Sequence, residues 1–316
     1  MTLPLLQVQD LSKAFPLGRN WVRVVQGISF ELLNGEILGI AGESGCGKST
    51  LGKLLLRLLP STSGSILYKG QSIDLFSGKR LKEWRRAAQM VFQHPGNALN
   101  PRMTVENILR EPFQIHRIFT AAEQNERIKN LLNEMKLSTD FLKRVPHQLS
   151  GGQKQRISIA RALALEPELL ICDEPFSALD VSVQGQLIHL LKELHQKLKF
   201  SCLLISHDLA VMRYLTHRLA VMYLGQFVEH GPTHEVFEHP LHPYTQALFE
   251  AMPNLENKKK VFMMGEISNV LSAGPGCPFE ARCPLAMPVC KQKKPLLKQV
   301  RPNHFTACHA YNDFML

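Results

Sequence analysis

Nine consecutive residues, Gly42-Glu43-Ser44-Gly45-Cys46-Gly47-Lys48-Ser49-Thr50, satisfy the pattern G-x-x-x-x-G-K-[ST]. Glycines let such a loop wrap tightly, so that backbone N–H groups turn inward on the α- and β-phosphates of a nucleotide. Lys48 would reach the β- and γ-phosphates, and the Ser49 hydroxyl would sit on Mg2+. A second group is Asp173-Glu174, two carboxylates that follow the apolar run Leu169–Cys172. Ligands meet parallel sheets at the C-terminal ends of strands. There Asp173 would support Mg2+ through water, and Glu174 would polarise the water that attacks the γ-phosphate. Gln93 also ends a short apolar stretch and is placed to reach Mg2+ or that water. His207 follows Cys202–Ser206 and precedes Asp208, where a histidine reads as a γ-phosphate sensor. Ser150-Gly151-Gly152-Gln153 opens a helix with two adjacent glycines, a second cradle of N–H groups and positive dipole. One chain rarely needs two cradles for one triphosphate, so this one is expected to serve a nucleotide held by a second subunit.

The elements that position these residues are legible around them. Glu36–Ala41 reads as a buried strand, and Leu51–Leu59 as a helix that ends at Pro60. Strand, glycine-rich turn and helix aim a helix N-terminus at phosphate. Upstream, Leu5–Val8 and Val25–Glu31 read as strands around a loop holding Phe15, Arg19, Asn20 and Trp21. An aromatic just before a phosphate loop can stack on adenine; Phe15 is the first candidate and Trp21 the second, with packing the alternative for each. Gly64–Tyr68 with a turn at Gly70-Gln71 predicts a hairpin. From residue 94 to about 148 the texture changes. His94–Arg102 is rich in Pro and Asn, helical periodicity follows at Val105–Leu109 and Glu123–Met135, and Pro146 closes the stretch. This predicts an inserted helical subdomain. Ile157–Leu165 and Val183–Leu198 are expected helices, the second entered through the polar turn Ser177–Asp180.

A chain of 316 residues allows about two domains and ample core. No apolar run approaches ~18 residues, so no membrane span is expected. Met1–Gln7 lacks the basic region and cleavage site of a secretory signal, which predicts a cytosolic protein that can dock on membrane partners. The net charge is +10, and residues 255–316 hold nine Lys/Arg against four Asp/Glu. Lys258-Lys259-Lys260 and Lys293-Lys294 are short runs without interleaved aromatics, so this excess reads as a solvated segment and not a nucleic-acid site.

Seven cysteines in a cytosolic chain argue against a disulfide framework. Cys172 and Cys202 lie in apolar strands and read as small buried hydrophobes. Cys277, Cys283, Cys290 and Cys308 stand at C-x5-C-x6-C-x17-C in a Pro-rich tail with little core of its own. Four thiolates there suggest a metal staple, although the C-x2–4-C pairs usual for zinc are absent. His304 and His309 are substitute ligands in that reading. His230, His234, His239 and His242 suggest a nickel site by composition, but Gly231, Pro232 and Pro240 interrupt their spacing, so they share no helical face.

Taken in order and spacing, these motifs resemble the ATP-binding-cassette ATPases over about residues 5–235: the phosphate loop, Gln93, LSGGQ at 149–153, Asp173-Glu174, Ser177–Asp180 with Asp180 in the D-loop position, and His207. The resemblance implies an α/β P-loop NTPase with a RecA-like core, an antiparallel β subdomain and the inserted helical subdomain, about 94–160. It implies ATP and Mg2+ as cofactors, with Mg2+ held through Ser49, Gln93 and Asp173. It implies a head-to-tail dimer in which Ser150, Gly151, Gly152 and Gln153 act on the partner's ATP. Outside the shared core, Asn97–Thr104, Ala178–Gln184, His239–Leu248 and Gly276–Pro284 resemble the oligopeptide/dipeptide/nickel importer ATPases. That implies a cassette domain at 1–254 and a C-terminal extension at 255–316. It further implies a second, unlike cassette subunit, two permeases, an extracytoplasmic binding protein, and a place on the cytoplasmic face of a bacterial plasma membrane. Some members of that subfamily carry a [4Fe–4S] cluster on a similar cysteine set, leaving a cluster, zinc or no metal as the readings of the tail. Two other classes share the cassette: a subunit of a soluble complex of the carbon–phosphorus lyase type, and a DNA-repair or translation cassette protein. The long tail speaks against the first, and the lack of a second cassette or coiled-coil insertion against the second.

Overall fold

The computed structural model describes residues 3–251, apart from 94 and 178, and residues 275–311. The chain begins β1 (Leu6–Leu17), β2 (Asn20–Leu32), β3 (Ile37–Ala41), α1 (Lys48–Leu55), β4 (Ser63–Tyr68), β5 (Gln71–Ser72), α2 (Gly78–Ala87) and β6 (Ala88–Val91). It continues α3 (Pro95–Ala98), α4 (Val105–His116), α5 (Ala121–Glu134), α6 (Gly151–Leu163), β7 (Leu169–Asp173), α7 (Val181–Leu198), β8 (Ser201–Ile205) and α8 (Leu209–Leu215). It closes with β9 (Arg218–Tyr223), β10 (Gln226–Pro232), α9 (Thr233–Glu238), α10 (Pro243–Glu250), α11 (Pro288–Gln292), β11 (Lys298–Arg301) and β12 (His304–Thr306). Two compact units result: residues 6–31, 37–67 and 205–316 form one, and residues 1–5, 32–36 and 68–204 the other.

In the first unit every residue of β3 is buried, as expected of a parallel strand covered on both faces. β3 pairs in parallel with β9, Leu38 opposite Arg218 through Ala41 opposite Val221. β9 turns into antiparallel β10 through Leu224-Gly225, both at positive φ (42° and 83°), the backbone a two-residue hairpin loop requires. β10 then pairs with β12, and β12 with β11, so the described part of the tail adds strands to this sheet. A separate sheet holds β2, β1 and β4 in that order. β1 and β2 are longer than the sequence suggested: the connection is only Gly18-Arg19, which places Phe15 in β1 and Trp21 in β2. α1 also differs. It starts at Lys48, because Gly47 hands the loop straight into the helix, and stops at Leu55, because Arg57 adopts φ 55°.

In the second unit β6 and β7 pair in parallel, Ala88 opposite Leu169 through Val91 opposite Cys172, and β7 neighbours β8. The helices have readable starts. Thr104 accepts from Asn107 N–H at α4, and Thr120 and Glu123 form a reciprocal capping box at α5. α6 packs on α3, α4 and α7. Trp84 of α2 is buried against the rings of Tyr68 (4.8 Å between centroids) and Phe76 (6.5 Å). Among the described residues no helix is long and apolar enough to cross a membrane.

Candidate active site

The loop between β3 and α1 is shaped by contacts that exclude side chains. A Cβ on Gly42 would lie 2.2 Å from the Met222 carbonyl oxygen, and one on Gly47 2.4 Å from that of Val24, both at positive φ. Only glycine lets the loop fold this tightly. Gly225 N–H donates to the Cys46 carbonyl (2.9 Å), so the β9–β10 turn braces the loop, and Gln26 N–H donates in turn to Gly225 (2.9 Å). Lys48, 5% exposed, folds back over the loop and donates from Nζ to the carbonyls of Gly42 (2.7 Å) and Glu43 (2.9 Å). Its ammonium also lies 3.8 Å from Cys46 Sγ. Burial pushes the Cys46 thiol up, outweighing that ammonium. Ser49 and Thr50 occupy the first turn of α1, after Ser44 and Gly45 in the loop. This is a cradle that a Cβ would fill, lined by N–H groups at a helix N-terminus, and it fits a phosphate.

Phe15 and His207 belong to the same unit as the loop. Phe15 is half-buried with the Lys13 ammonium 5.1 Å from its ring centre, whereas Trp21 is 68% exposed. His207 is exposed after Ser206, and Asp208 accepts from Ala210 and Val211 N–H groups to start α8.

The carboxylate pair lies in the other unit. Asp173 ends β7 and is buried; Glu174 follows at φ 46°, a left-handed conformation that a non-glycine residue holds only under constraint. Gln93 Nε2 donates to Glu174 Oε2 at 3.1 Å, so these two expected partners are brought together. In this unit too, Ser150 caps α6. Its hydroxyl accepts from Gln153 N–H (3.3 Å), and Gln153 Oε1 accepts from Ser150 N–H (2.9 Å). The S-x-x-Q spacing of this capping box was readable in the sequence but not used there. Ser150 and Gly151 are exposed, whereas Gly152 is buried and a Cβ there would meet Val183 Cγ1 at 2.4 Å. Asp180, exposed, stands at the N-cap of α7.

Cys277, Cys283, Cys290 and Cys308 are free thiols, near enough that charge on one raises others, and burial is the main cause that pushes the Cys277 thiol up to about 11. Among the described residues, however, no group of three or more His, Cys, Asp or Glu is arranged to hold a metal ion, so the metal staple gains no support here. Each substitute ligand has its Nε2 engaged. His304 Nε2 lies 2.7 Å from Glu229 Oε1 with both side chains fully buried, and His309 Nε2 lies 2.7 Å from the Lys293 carbonyl. The other histidines do not gather either. His230 stacks on Phe305 (4.5 Å), and buried His242 caps α10 by accepting from Tyr244 N–H (3.0 Å), its pKa pushed down to about 3 by burial. Lys258-Lys259-Lys260, His94 and Ala178 fall outside the described residues.

Two residues to which the sequence reading gave no role at this site touch the phosphate loop. Tyr244 Oη accepts from Glu43 N–H (2.9 Å), and Arg282 forms a two-pronged pair with the Glu43 carboxylate (3.0 and 3.1 Å).

A strand-end phosphate loop and a strand-end Asp-Glu pair beside a Gln define a P-loop ATPase of the cassette type. The family described as ABC transporter matches residues 25–177, and that described as oligopeptide/dipeptide transporter, C-terminal region, matches residues 228–290. The oligopeptide transport ATP-binding protein AppF of Bacillus subtilis (strain 168) is 46% identical over 321 residues, spanning 98% of both chains. A putative peptide import ATP-binding protein of Brucella ovis is 41% identical, spanning 96% of this chain and 97% of its own. The dimeric ATP-binding cassette MJ0796 bound to ADP and Pi superposes with a TM-score of 0.66 at 26% identity, covering 72% of this chain and 98% of that one. The chain belongs to the ABC transporter family, as an ATP-binding subunit whose ATP hydrolysis drives transport. The lyase-complex alternative finds no support in these matches.

Proposed function

We propose that this chain powers the import of di- or oligopeptides as one of two cassette subunits beneath two permeases, docked peripherally on the cytoplasmic side of the membrane. One observation carries the reading: the phosphate loop and the Asp173-Glu174 strand end are both built in a chain 46% identical, end to end, to an oligopeptide transport ATP-binding protein. In this reading residues 1–254 are the cassette, with the helical insertion at about 94–160, and residues 255–316 the extension. The loop's N–H groups bind phosphate oxygens of ATP, and Lys48 leaves the Gly42 and Glu43 carbonyls to donate to the β- and γ-phosphates. Phe15 stacks on the base. Ser49, Gln93 and Asp173 would hold Mg2+, which supplies charge neutralisation on the phosphates. Glu174, oriented by Gln93, takes the proton of the attacking water, and His207 donates to the γ-phosphate. Ser150, Gly151, Gly152 and Gln153 complete the nucleotide site of a partner cassette, with Asp180 beside that interface. A binding protein outside the membrane supplies the peptide. Iron and sulfide analysis of protein purified without oxygen, beside Cys277→Ser, tests whether the tail cysteines hold a cluster.

The test is recovery of partners. A Glu174→Gln chain loaded with ATP is expected to retain two multi-span proteins and a second cassette from detergent-solubilised host membranes. Recovery of soluble enzymes alone would refute the importer assignment.

A further inference from the structure

Glu43 is held at all three of its polar groups. Its N–H donates to Tyr244 Oη (2.9 Å), its carbonyl accepts from Lys48 Nζ (2.9 Å), and its carboxylate accepts from Arg282 Nη1 (3.1 Å) and Nη2 (3.0 Å). The ion pair is withdrawn from water, with side-chain exposures of 6% for Arg282 and 16% for Glu43. Arg282 Nη1 also donates to Tyr223 Oη (3.4 Å). The rings of Tyr223, Tyr244 and Phe279, all buried, pack together at 4.6–5.5 Å and wall the guanidinium in. The turn that carries Arg282 is itself fixed: Arg282 N–H donates to the Phe279 carbonyl (3.0 Å), and Cys277 N–H to that of Cys290 (2.7 Å). A Cβ on Gly276 would strike the Cys290 carbonyl at 2.1 Å, so the segment has little room to rearrange.

A carboxylate inside an anion-binding loop repels phosphate unless a cation offsets it. We propose that Arg282, with Tyr244, is a positioning residue of the phosphate loop: it neutralises Glu43 and fixes its backbone, so that the folded tail sets the affinity of the chain for ATP. The inference rests on the nucleotide-site reading above and assigns the tail a part in it.

The experiment measures ATP and ADP dissociation constants of the full chain, and its melting temperature without nucleotide, for the parent and for Arg282→Gln, Arg282→Lys, Glu43→Gln and the Arg282→Gln/Glu43→Gln double variant. Arg282→Gln strands the Glu43 charge and is expected to weaken ATP binding about tenfold, with ADP less affected because it carries less charge. Arg282→Lys keeps the charge and loses the fork, and is expected to stay within about threefold of the parent. The double variant removes the stranded charge and should bind ATP better than Arg282→Gln alone, and by more than any difference in their melting temperatures accounts for, which a merely structural role does not produce. Arg282→Gln binding ATP within about twofold of the parent would overturn the proposal, as would a double variant no better than the single one. If Arg282→Gln does not fold, the double variant against Glu43→Gln carries the test: similar affinities support the proposal, and a further loss of about tenfold overturns it. A parent that binds no ATP would sink the nucleotide-site reading itself, whereas a parent that binds beside unmoved variants sinks only the positioning role.

Discussion

Substituting Glu174 separates backbone strain from chemistry at the end of β7. The residue sits at φ 46° and accepts from Gln93 Nε2 at 3.1 Å. Glu174→Gln preserves the backbone cost and an oxygen acceptor in the same place, so folding stability should change by less than about 0.5 kcal/mol. Glu174→Gly relieves about 1–2 kcal/mol of left-handed strain. It also forfeits about 1 kcal/mol of hydrogen bond and about 0.5–1 kcal/mol through the freer unfolded chain, so the net change is near zero. Both variants remove the carboxylate that would take the water's proton, and turnover should fall about 10²–10⁴-fold. Phosphate release at saturating ATP gives turnover, ligand titration gives affinity, and denaturant melts without nucleotide give stability. Parental turnover in Glu174→Gln would refute the assignment. A loss of turnover that followed a loss of stability across both variants would refute the separation.

Gly47→Ala places a Cβ 2.4 Å from the Val24 carbonyl at φ 107°, so the loop must shift; ATP affinity should fall about a hundredfold, and retained affinity would show that the loop adapts. Glu229→Ala leaves Leu241 N–H, His242 N–H and His304 Nε2 without their buried acceptor, a loss of about 3–5 kcal/mol in denaturant melts, whereas a loss below about 1 kcal/mol would refute the account. His242 has its pKa pushed from 6.5 down to about 3 by burial, so the unfolded chain binds a proton that the folded chain refuses between those values. Stability is therefore full above about pH 6.5 and lost as the pH falls, by about 2 kcal/mol at pH 5. His242→Asn keeps a capping acceptor and should flatten this part of the slope; an unchanged slope in melts at pH 5 and 7 would refute it.

What the sequence made legible follows from interaction range. The phosphate loop, the Asp173-Glu174 end and LSGGQ are short patterns whose meaning lies within a few residues, and β3, β7 and β8 are continuous apolar runs, so each was readable. α2 was not, because Trp84 is its only buried residue and its apolar positions are few among basic ones, so the short stripe is easily passed over. β1 and β2 run past their buried centres into largely exposed tips around Phe15 and Trp21, where pairing across the hairpin, and not an alternating burial pattern, sustains the strand. Arg282 stood within a stretch noted only for its resemblance, and its role was not legible, since its partner Glu43 lies 239 residues away. The tail cysteines suggested ligands by residue type, but type does not set geometry, and among the described residues no metal-holding group is arranged.

The pairing of β10 with β12, and of β12 with β11, also governs what this protein offers to other chains. An uncovered β10 would present unsatisfied N–H and C=O groups beside buried Phe227 and Val228, a template for aberrant association. The outermost strand is instead only four residues long and bears Lys298 and Arg301, whose charges discourage further strand addition. A chain cut before Lys298 would lose this guard together with the buried His304–Glu229 pair, and concentration-dependent precipitation would accompany the fall in its melting point.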